Sequence, residues 1–191
     1  MKIVLIIFAV IFAIVVLSII TLLVATRFSD GPKGPIPGGE LTSGSYVDAS
    51  QVNWKSVLGN KPVSEIELQL LNPTGSRTTG AFVYNGELYV PVDLGYVWRR
   101  LPNGIARYFL HIVWIFKDWH EKAAVDGRVV IRTGGNRYRL NAVRITDEAL
   151  MSKFREHVST AAGSVFKLLS VETNPEDIWF FRLDPRIVDA H

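Results

Sequence analysis

L-N-P-T-G-S-R-T-T-G-A-F-V-Y-N-G-E-L-Y-V-P, residues 71–91, joins a turn-forming first half to a second half with the composition of β-strands. Within Ala81–Val90, apolar and aromatic residues lie on both sides of the pair Asn85-Gly86. This pair tolerates the positive φ angles of a type I′ turn, so the second half predicts a β-hairpin.

The first half, Thr74–Gly80, predicts a loop with two alternative roles. Its backbone N–H groups, its hydroxyls and the guanidinium of Arg77 are donors of the kind that a phosphate oxygen needs. Alternatively, it is a surface turn that begins at Asn72 and Pro73, with Arg77 paired to Glu65 or Glu67 on the neighbouring strand.

Two further segments carry strand patterns. Ser64–Leu70 alternates apolar and polar residues, as a half-buried strand does. Arg128–Ile145 predicts a second hairpin with its turn at Gly134-Gly135. One face of that hairpin would carry the core residues Val129, Ile131, Tyr138 and Leu140, and the other the arginines Arg128, Arg132, Arg137 and Arg139.

Helical signals follow the second hairpin. A helix is expected to begin at Thr146, a hydroxyl N-cap followed by two acids, with Leu150, Phe154 and Val158 on its apolar side. Asp177–Leu183 predicts the last strand. Several hairpins with helices outside them predict a mainly β (α+β) small barrel with flanking helices.

The N-terminus predicts a membrane anchor. Ile3–Ala25 contains no charge, and at ~1.5 Å per residue a helix of this length is ~34 Å long, enough to cross a ~30 Å hydrocarbon core. The alternative, a cleavable signal peptide, has a shorter apolar core and a small-x-small cleavage site, which V-A-T-R-F-S matches poorly. We expect a single-pass anchor with the body on the exported side of the membrane.

Three regions follow from this pattern: an anchor at residues 1–27, a tether rich in proline and glycine at 28–45, and one folded domain at 46–191. The tether is expected to be stiff and semi-extended, because its prolines and glycines disfavour helices and strands.

Gly104–Ala124 predicts a helix that is apolar around more of its circumference than a surface helix. Three interpretations remain: it packs in the barrel core on both sides, docks on a partner protein, or inserts in the membrane interface. The residues expected to make partner or membrane contacts are Phe109, Ile112, Trp114 and Phe116.

Composition excludes several functional classes. The net charge is +3, and two of the 21 basic residues, Lys2 and Arg27, belong to the N-terminal segment, so the body gives no sign of a nucleic-acid partner. The chain has no cysteine, and its four histidines show no metal-ligand spacing, so no metal site is expected. No catalytic side chain stands out, and an enzyme of this kind would take its chemistry from a cofactor.

The order of motifs resembles a known superfamily. T-G-S-R-T-T-G, a hairpin ending in L-Y-V, W-H-E-K-A-A-V-D-G-R, V-V-I-R-T-G-G-N-R-Y-R-L and T-D-E-A follow one another between Glu65 and Arg186. This order looks like the split β-barrel of pyridoxamine-phosphate-oxidase-like and deazaflavin-dependent nitroreductase-like proteins.

The resemblance implies a cofactor and a place for it. Members of that superfamily bind flavin mononucleotide (FMN) or a deazaflavin, commonly at a dimer interface, and hold the phosphate with basic and hydroxyl side chains. The matching residues here are Arg77, Thr78 and Thr79, followed by Arg132 and Arg137. In contrast to redox-active relatives, Gly80 passes straight into the next strand, and the apolar helix is long enough to cover a flavin groove.

Two functions therefore remain open. One is a membrane-tethered oxidoreductase that uses a flavin or deazaflavin. The other is a cofactor-free accessory subunit or scaffold of a membrane protein complex. The expected partners are the lipid bilayer and either a membrane protein complex or a second copy of the chain.

Overall fold

The computed structural model describes residues 2–34, 36–59, 61–93, 118–161 and 178–186. Helix α1, Lys2–Thr26, is the expected apolar helix, and Ile3–Thr26 is long and apolar enough to cross a membrane. From Ile3 to Ala25, every residue is exposed rather than buried against the rest of the protein. The large apolar side chains of α1 are therefore not accounted for by packing within this chain.

Six antiparallel strands close into a barrel. The strands are β2 (Ser64–Leu71), β3 (Thr74–Tyr84), β4 (Glu87–Asp93), β5 (Arg128–Thr133), β6 (Asn136–Arg144) and β7 (Ile178–Pro185). Around the barrel their order is β2-β3-β4-β7-β6-β5, and β5 pairs with β2 to close it. Each of these strands therefore has two neighbours, although β3 pairs with β4 only at Phe82–Tyr84. The closed barrel confirms the expected split barrel with an N-terminal helix and flanking helices.

A short strand β1, Ser45–Tyr46, adds to the barrel in parallel with the beginning of β6. Behind it lie a 3-10 turn at Ala49–Gln51 and the helix α2, Trp54–Leu58. These elements bring Trp54 edge-on to Tyr138 in the barrel, with 5.0 Å between ring centroids. The chain between the helix α1 and β2 is thus part of the folded body.

Both predicted hairpin turns are confirmed. Asn85 and Gly86 have φ angles of 51° and 86°, and Gly134 and Gly135 have φ angles of 57° and 78°. These values are typical of type I′ turns, whose twist matches that of the flanking strands.

The loop expected at Thr74–Gly80 is instead the first half of β3. Its residues pair one by one with β2, from Leu71 opposite Thr74 to Ser64 opposite Ala81. The reversal occurs at Asn72-Pro73, so the hydroxyl residues that follow are free to pair as a strand. Threonine favours strands because its branched side chain packs well on a pleated surface.

The barrel interior is filled with apolar side chains. Alternate residues of β2, β5 and β6 point inward and are buried: Ile66, Leu68, Leu70, Val129, Ile131, Tyr138 and Leu140. The predicted core faces of the first strand and of the second hairpin are therefore correct. A packed interior of this kind fixes the strand register, because a slip by one residue would turn the apolar set outward.

Helix α4, Glu148–Ala161, covers the outer face of β3, β4 and β7. Phe154 is fully buried there and contacts the rings of Phe82, Tyr89 and Phe180. The helix begins slightly later than expected, because its cap is Asp147, whose carboxylate accepts hydrogen bonds from the backbone N–H groups of Ala149 and Leu150.

Only the end of the predicted apolar helix lies within the described residues. It forms α3, Trp119–Val125, which buries Trp119 and Ala123 against the barrel. The four residues expected to contact a partner or membrane, Phe109, Ile112, Trp114 and Phe116, lie outside the described residues.

The chain between the helix α1 and β1, residues 28–44, is here named the linking segment. It was expected to be a semi-extended tether, but it folds across the outer surface of the barrel. Gly38 and Ser76 exchange two backbone hydrogen bonds of 2.9 and 3.0 Å, and Leu41 is fully buried. Glycine is required at position 38, because a Cβ there would collide with the carbonyl group of Gly31.

Replacement of Phe154 by alanine tests the packing of α4. The substitution leaves a cavity among the four rings of Phe82, Tyr84, Tyr89 and Phe180, and we expect a loss of ~3–5 kcal/mol in the free energy of unfolding. Urea unfolding of the full chain in detergent, followed by tryptophan fluorescence, measures it. The exposed neighbour Lys153→Ala is the control and should change stability by less than ~0.5 kcal/mol. Equal losses for the two variants would contradict the assigned packing.

Candidate functional site

Strand β3 points its residues alternately to the two sides of the barrel wall. Arg77 and Thr79 lie opposite Leu68 and Ile66, whose side chains fill the interior, so both point inward. Thr78 lies opposite Glu67 and points outward. The three residues that the superfamily resemblance places in one phosphate site therefore lie on two sides of the wall.

On the outer face, four residues form one row across four strands. Thr78 is opposite Glu67, Glu67 is opposite Arg132, and Arg132 is opposite Arg137. The row brings three of the predicted cofactor ligands to one face, together with one acid. The linking segment lies across this same face, because it is bonded there to Arg132 and Arg137.

Arg132 is held by two carboxylates. Its guanidinium donates to Glu67, and it forms an ion pair of 2.7 Å with Asp30 of the linking segment. It also donates to the hydroxyl of Ser43 at 2.5 Å. Its side chain is 13% exposed, and the carboxylates of Asp30 and Glu67 balance its charge. The three charged groups are here named the Arg132 clamp.

Asp30 ties the linking segment together as well as to the barrel. Burial opposes ionisation of this carboxyl group, but hydrogen bonds from Ser43, Thr42 and Arg132 outweigh burial and lower its pKa well below the usual range. The backbone N–H of Thr42 donates to Asp30 Oδ1 at 2.8 Å. The ionised form of Asp30 is therefore the form that holds the segment in place.

The side chain of Arg137 binds backbone carbonyl groups of the linking segment. Its guanidinium donates to the carbonyl oxygens of Leu41 at 2.7 Å and Gly44 at 2.8 Å, and it lies 4.1 Å from the ring centroid of Tyr46. On the same surface, Gln69 is buried, although the sequence places it on a polar face. Its Oε1 accepts a hydrogen bond of 2.9 Å from the backbone N–H of Leu41.

The five predicted cofactor ligands do not form a single site in this structure. Arg132 and Arg137 are engaged by the linking segment, and Arg77 and Thr79 lie on the inner side of β3. Their role in holding a flavin phosphate stays a prediction. The alternative pairing of Arg77 with Glu65 or Glu67 is wrong, because those glutamates point outward and Glu67 binds Arg132 instead.

A cavity of about 220 Å³ opens at the end of the barrel, where β2 turns into β3. It is here named the end cavity, and its charged lining residues are Arg27, Arg77, Asp118 and Lys122. Arg27 follows the last residue of the helix α1 and reaches β3, where its Nη1 lies 3.1 Å from the position that a Cβ on Gly75 would occupy. The absence of a side chain at Gly75 therefore gives Arg27 access to the cavity.

Arg77 is the buried cation of the end cavity. Its guanidinium lies over the ring of Trp119, with 5.7 Å between Cζ and the ring centroid. Burial lowers the pKa of Arg77 to about 10; Asp118 opposes this shift, and Arg27 adds to it. The buried Nε of Arg77 has no hydrogen-bond partner. Arg77 remains charged at neutral pH but lacks the full set of partners that a buried cation needs.

Sequence reasoning missed Arg27, Asp118 and Lys122 as members of this site. Asp118 and Lys122 are four residues apart and form an ion pair of 2.6 Å, a helix spacing that the sequence does contain. Arg27 was assigned only to the flank of the anchor. No local pattern places these residues beside Arg77, because Arg27, Arg77 and the pair of Asp118 and Lys122 lie in separate parts of the chain.

A second cavity, of about 380 Å³, lies between β1 and the end of β7. Arg139 and Arg186 line it together with the ring of Tyr46. Burial lowers the pKa of Arg186, and the nearby charges of Arg128 and Arg139 lower it further. Residues 187–191 follow directly but lie outside the described part of the chain, so we assign no function to this cavity.

Metal chemistry finds no support among the residues that the structure describes. Within them, no group of three or more His, Asp or Glu side chains is arranged to hold a metal ion. The end cavity instead combines cations with apolar walls, and such a combination can bind an anion through charge-assisted hydrogen bonds.

Comparison with known proteins gives a distant structural likeness. No family model and no curated protein matches this chain. A crystal structure of a protein from Listeria innocua, which carries the provisional name pyridoxamine 5'-phosphate oxidase, matches with a TM-score of 0.44 and 14% sequence identity. The match covers 69% of this chain and 90% of that one. We assign no ligand, activity or residue role to the present chain from it.

The lowered pKa of Asp30 predicts an acid-sensitive linking segment. An unfolded aspartate has a pKa of about 3.9, so the stabilisation from ionised Asp30 is complete above that value. It is lost as the pH falls below about 4, towards the lower pKa of the folded state. Hydrogen exchange of the Thr42 amide, corrected for its intrinsic rate, should show protection that declines over this range.

Two aspartate variants test this prediction. Asp30→Asn should expose the Thr42 amide at every pH and remove the pH dependence. Asp48→Asn is the matched control, because Asp48 also accepts a backbone hydrogen bond, from Ser50, but lies outside the linking segment. Unchanged Thr42 protection in Asp30→Asn would contradict the role assigned to this carboxylate.

Proposed function

We propose that this chain is a membrane-anchored split-barrel protein that serves as an accessory subunit or scaffold of a membrane protein complex. The helix α1 supports the anchor, since all the side chains described from Ile3 to Ala25 are exposed and nearly all of them are apolar. In water such a helix would leave a large apolar surface uncovered, whereas a bilayer would cover it.

The observation that carries the proposal is the attachment of the linking segment to the barrel. The Arg132 clamp, Arg137 and the backbone pairing of Gly38 with Ser76 hold residues 28–44 on the barrel wall. The barrel would therefore sit at a fixed height and orientation at the membrane surface. A fixed orientation suits a protein that presents one surface to a membrane-bound partner.

The same contacts weigh against the oxidoreductase alternative. Two of the five residues predicted to bind a flavin phosphate, Arg132 and Arg137, are occupied in binding the linking segment. The end cavity, at about 220 Å³, is smaller than the ~300–1,000 Å³ of pockets that hold drug-sized ligands. The space described around Arg77 therefore suits a phosphate group better than a whole flavin.

A flavin- or deazaflavin-dependent oxidoreductase remains the second candidate function. The observation that favours it is Arg77 itself, the predicted ligand whose buried Nε has no partner. Such a cofactor would supply the hydride or electron transfer, and the protein would supply binding and orientation. A homodimer could provide the additional residues that one copy does not bring together.

The partner surface is proposed on the sequence of residues 104–117. This segment lies outside the described residues and precedes α3, which packs on the barrel. As a helix, its sequence would be apolar around more of its circumference than one buried face needs, and Ile112 and Phe116 are among these apolar residues. We propose that the barrel lies on the exported side of the membrane.

A membrane extraction experiment tests the anchor. The full chain should stay in the membrane fraction at alkaline pH in carbonate and dissolve only in detergent, because its span is held by lipid rather than by surface charge. A chain that carbonate releases would contradict the anchored function. Cleavage before Phe28, detected by intact mass, would also contradict it.

A co-purification experiment tests the choice between the two functions. The accessory subunit should purify in gentle detergent without a visible absorbance band and with partners in fixed ratio. Ile112→Glu should release those partners, whereas Val143→Glu, at a half-exposed valine on β6, should retain them. A stoichiometric flavin band that Arg77→Ala abolishes would instead establish the oxidoreductase.

A further inference from the structure

The geometry points to the end cavity as a binding site for the phosphate group of an anionic phospholipid at the surface of the membrane. This inference rests on the proposed anchoring of the helix α1. It assigns a ligand to Arg27, Arg77 and Lys122, three cations that the fold brings together from different parts of the chain.

The cavity lies where the polypeptide leaves the apolar helix. Arg27 follows Thr26, the last residue of the helix α1, and Phe28 beside it is 87% exposed. Arginine and aromatic side chains commonly lie at the boundary between hydrocarbon and lipid headgroups. Because Arg27 also lines the end cavity, the mouth of the cavity lies close to the level of the headgroups.

The lining carries an excess of positive charge. Arg27, Arg77 and Lys122 are cationic, and Asp118 is the acidic residue among the ten that line the cavity. Asp118 is already paired with Lys122, and among the described residues no carboxylate forms an ion pair with Arg77. A bound anion would therefore lower the repulsion between Arg77 and Arg27, which contributes to the lowered pKa of Arg77.

Arg77 offers directional donors as well as charge. Its guanidinium lies over the ring of Trp119 and leaves a buried Nε–H without an acceptor. Phosphate oxygens match the planar donor geometry of a guanidinium group and form strong, charge-assisted hydrogen bonds with it. A phosphate in the cavity would satisfy the donor that the protein leaves unpaired.

The size and the apolar part of the wall favour a lipid headgroup over a nucleotide. About 220 Å³ accommodates a phosphate with a small substituent. Leu70, Pro37 and Pro73 form the apolar part of the wall, beside Thr74, Gly75 and Ser76, and provide apolar contact for the glycerol end of a lipid. Free inorganic phosphate shares the anionic chemistry but makes no use of this apolar wall.

The lipid that the full chain retains provides the main test. The protein is reconstituted in nanodiscs of equimolar phosphatidylcholine and phosphatidylglycerol, released in mild detergent and examined by native mass spectrometry. We expect one phosphatidylglycerol to remain bound in preference to phosphatidylcholine. Arg77→Gln and Arg27→Gln should each lower this retention roughly tenfold.

Lys61→Gln is the matched control, because it removes one positive charge at an exposed lysine outside the cavity. It should retain phosphatidylglycerol as the unmodified chain does. Arg27 is exposed, so its replacement leaves the barrel core intact and keeps the test valid if Arg77→Gln does not fold. Arg77→Lys keeps the charge but not the planar set of donors. It should retain less phosphatidylglycerol than the unmodified chain and more than Arg77→Gln.

A second arm distinguishes the source of the phosphate. Inorganic phosphate at millimolar concentration, added to the delipidated chain in detergent, should raise the melting temperature less than phosphatidylglycerol does. Stabilisation by inorganic phosphate alone, lost in Arg77→Gln, would overturn the lipid assignment. Equal lipid retention by Arg77→Gln and Lys61→Gln would overturn the site itself, and carbonate extraction of the chain would overturn the anchor instead.

Discussion

The structure depends on the Arg132 clamp, in which one guanidinium on the barrel wall binds Glu67 of a neighbouring strand and Asp30 of the linking segment. An arginine with 13% of its side chain exposed cannot lose its charge, so it needs acidic partners close by. One of those partners comes from a residue just after the long apolar helix. The clamp therefore connects the helix α1 to the barrel, because Asp30 follows the helix closely in the chain and Arg132 lies on the barrel wall.

Around the clamp, the linking segment changes what the outer wall of the barrel can do. Leu41 is buried, Gln69 is bonded to its backbone, and Arg137 binds two carbonyl groups of the segment. A surface that would otherwise present a row of arginines to solvent is covered by the chain itself. At the end of the barrel, Arg77, Arg27 and Lys122 instead line one cavity together with a single acid, Asp118.

Much of the barrel could be predicted from local pattern. Alternation in Ser64–Leu70 and in the second hairpin identified the residues that fill the interior, because a period of two is set by the strand itself. The turns at Asn85-Gly86 and Gly134-Gly135 followed from the positive φ angles that these residues accept. The first part of β3 was missed, since its glycines, hydroxyls and arginine are equally common in loops.

The candidate site could be predicted only in part, and the reason is the alternation of the strand. Arg77, Thr78 and Thr79 are adjacent in sequence, and adjacency suggested that they act together. In a strand, neighbouring side chains point to opposite faces, so Thr78 joins the outer row while Arg77 enters the end cavity. Recognition of β3 as a strand would have separated them at once.

Local sequence was enough to predict the long apolar helix, both hairpin turns, the core faces of β2 and of the second hairpin, and the absence of cysteine chemistry. These properties depend on the period, composition and turn residues of contiguous segments. Which charges meet could be seen only in the folded chain. Asp30 and Arg132, like Arg27 and Arg77, are far apart along the chain, and their contacts follow from barrel closure and from the path of the linking segment.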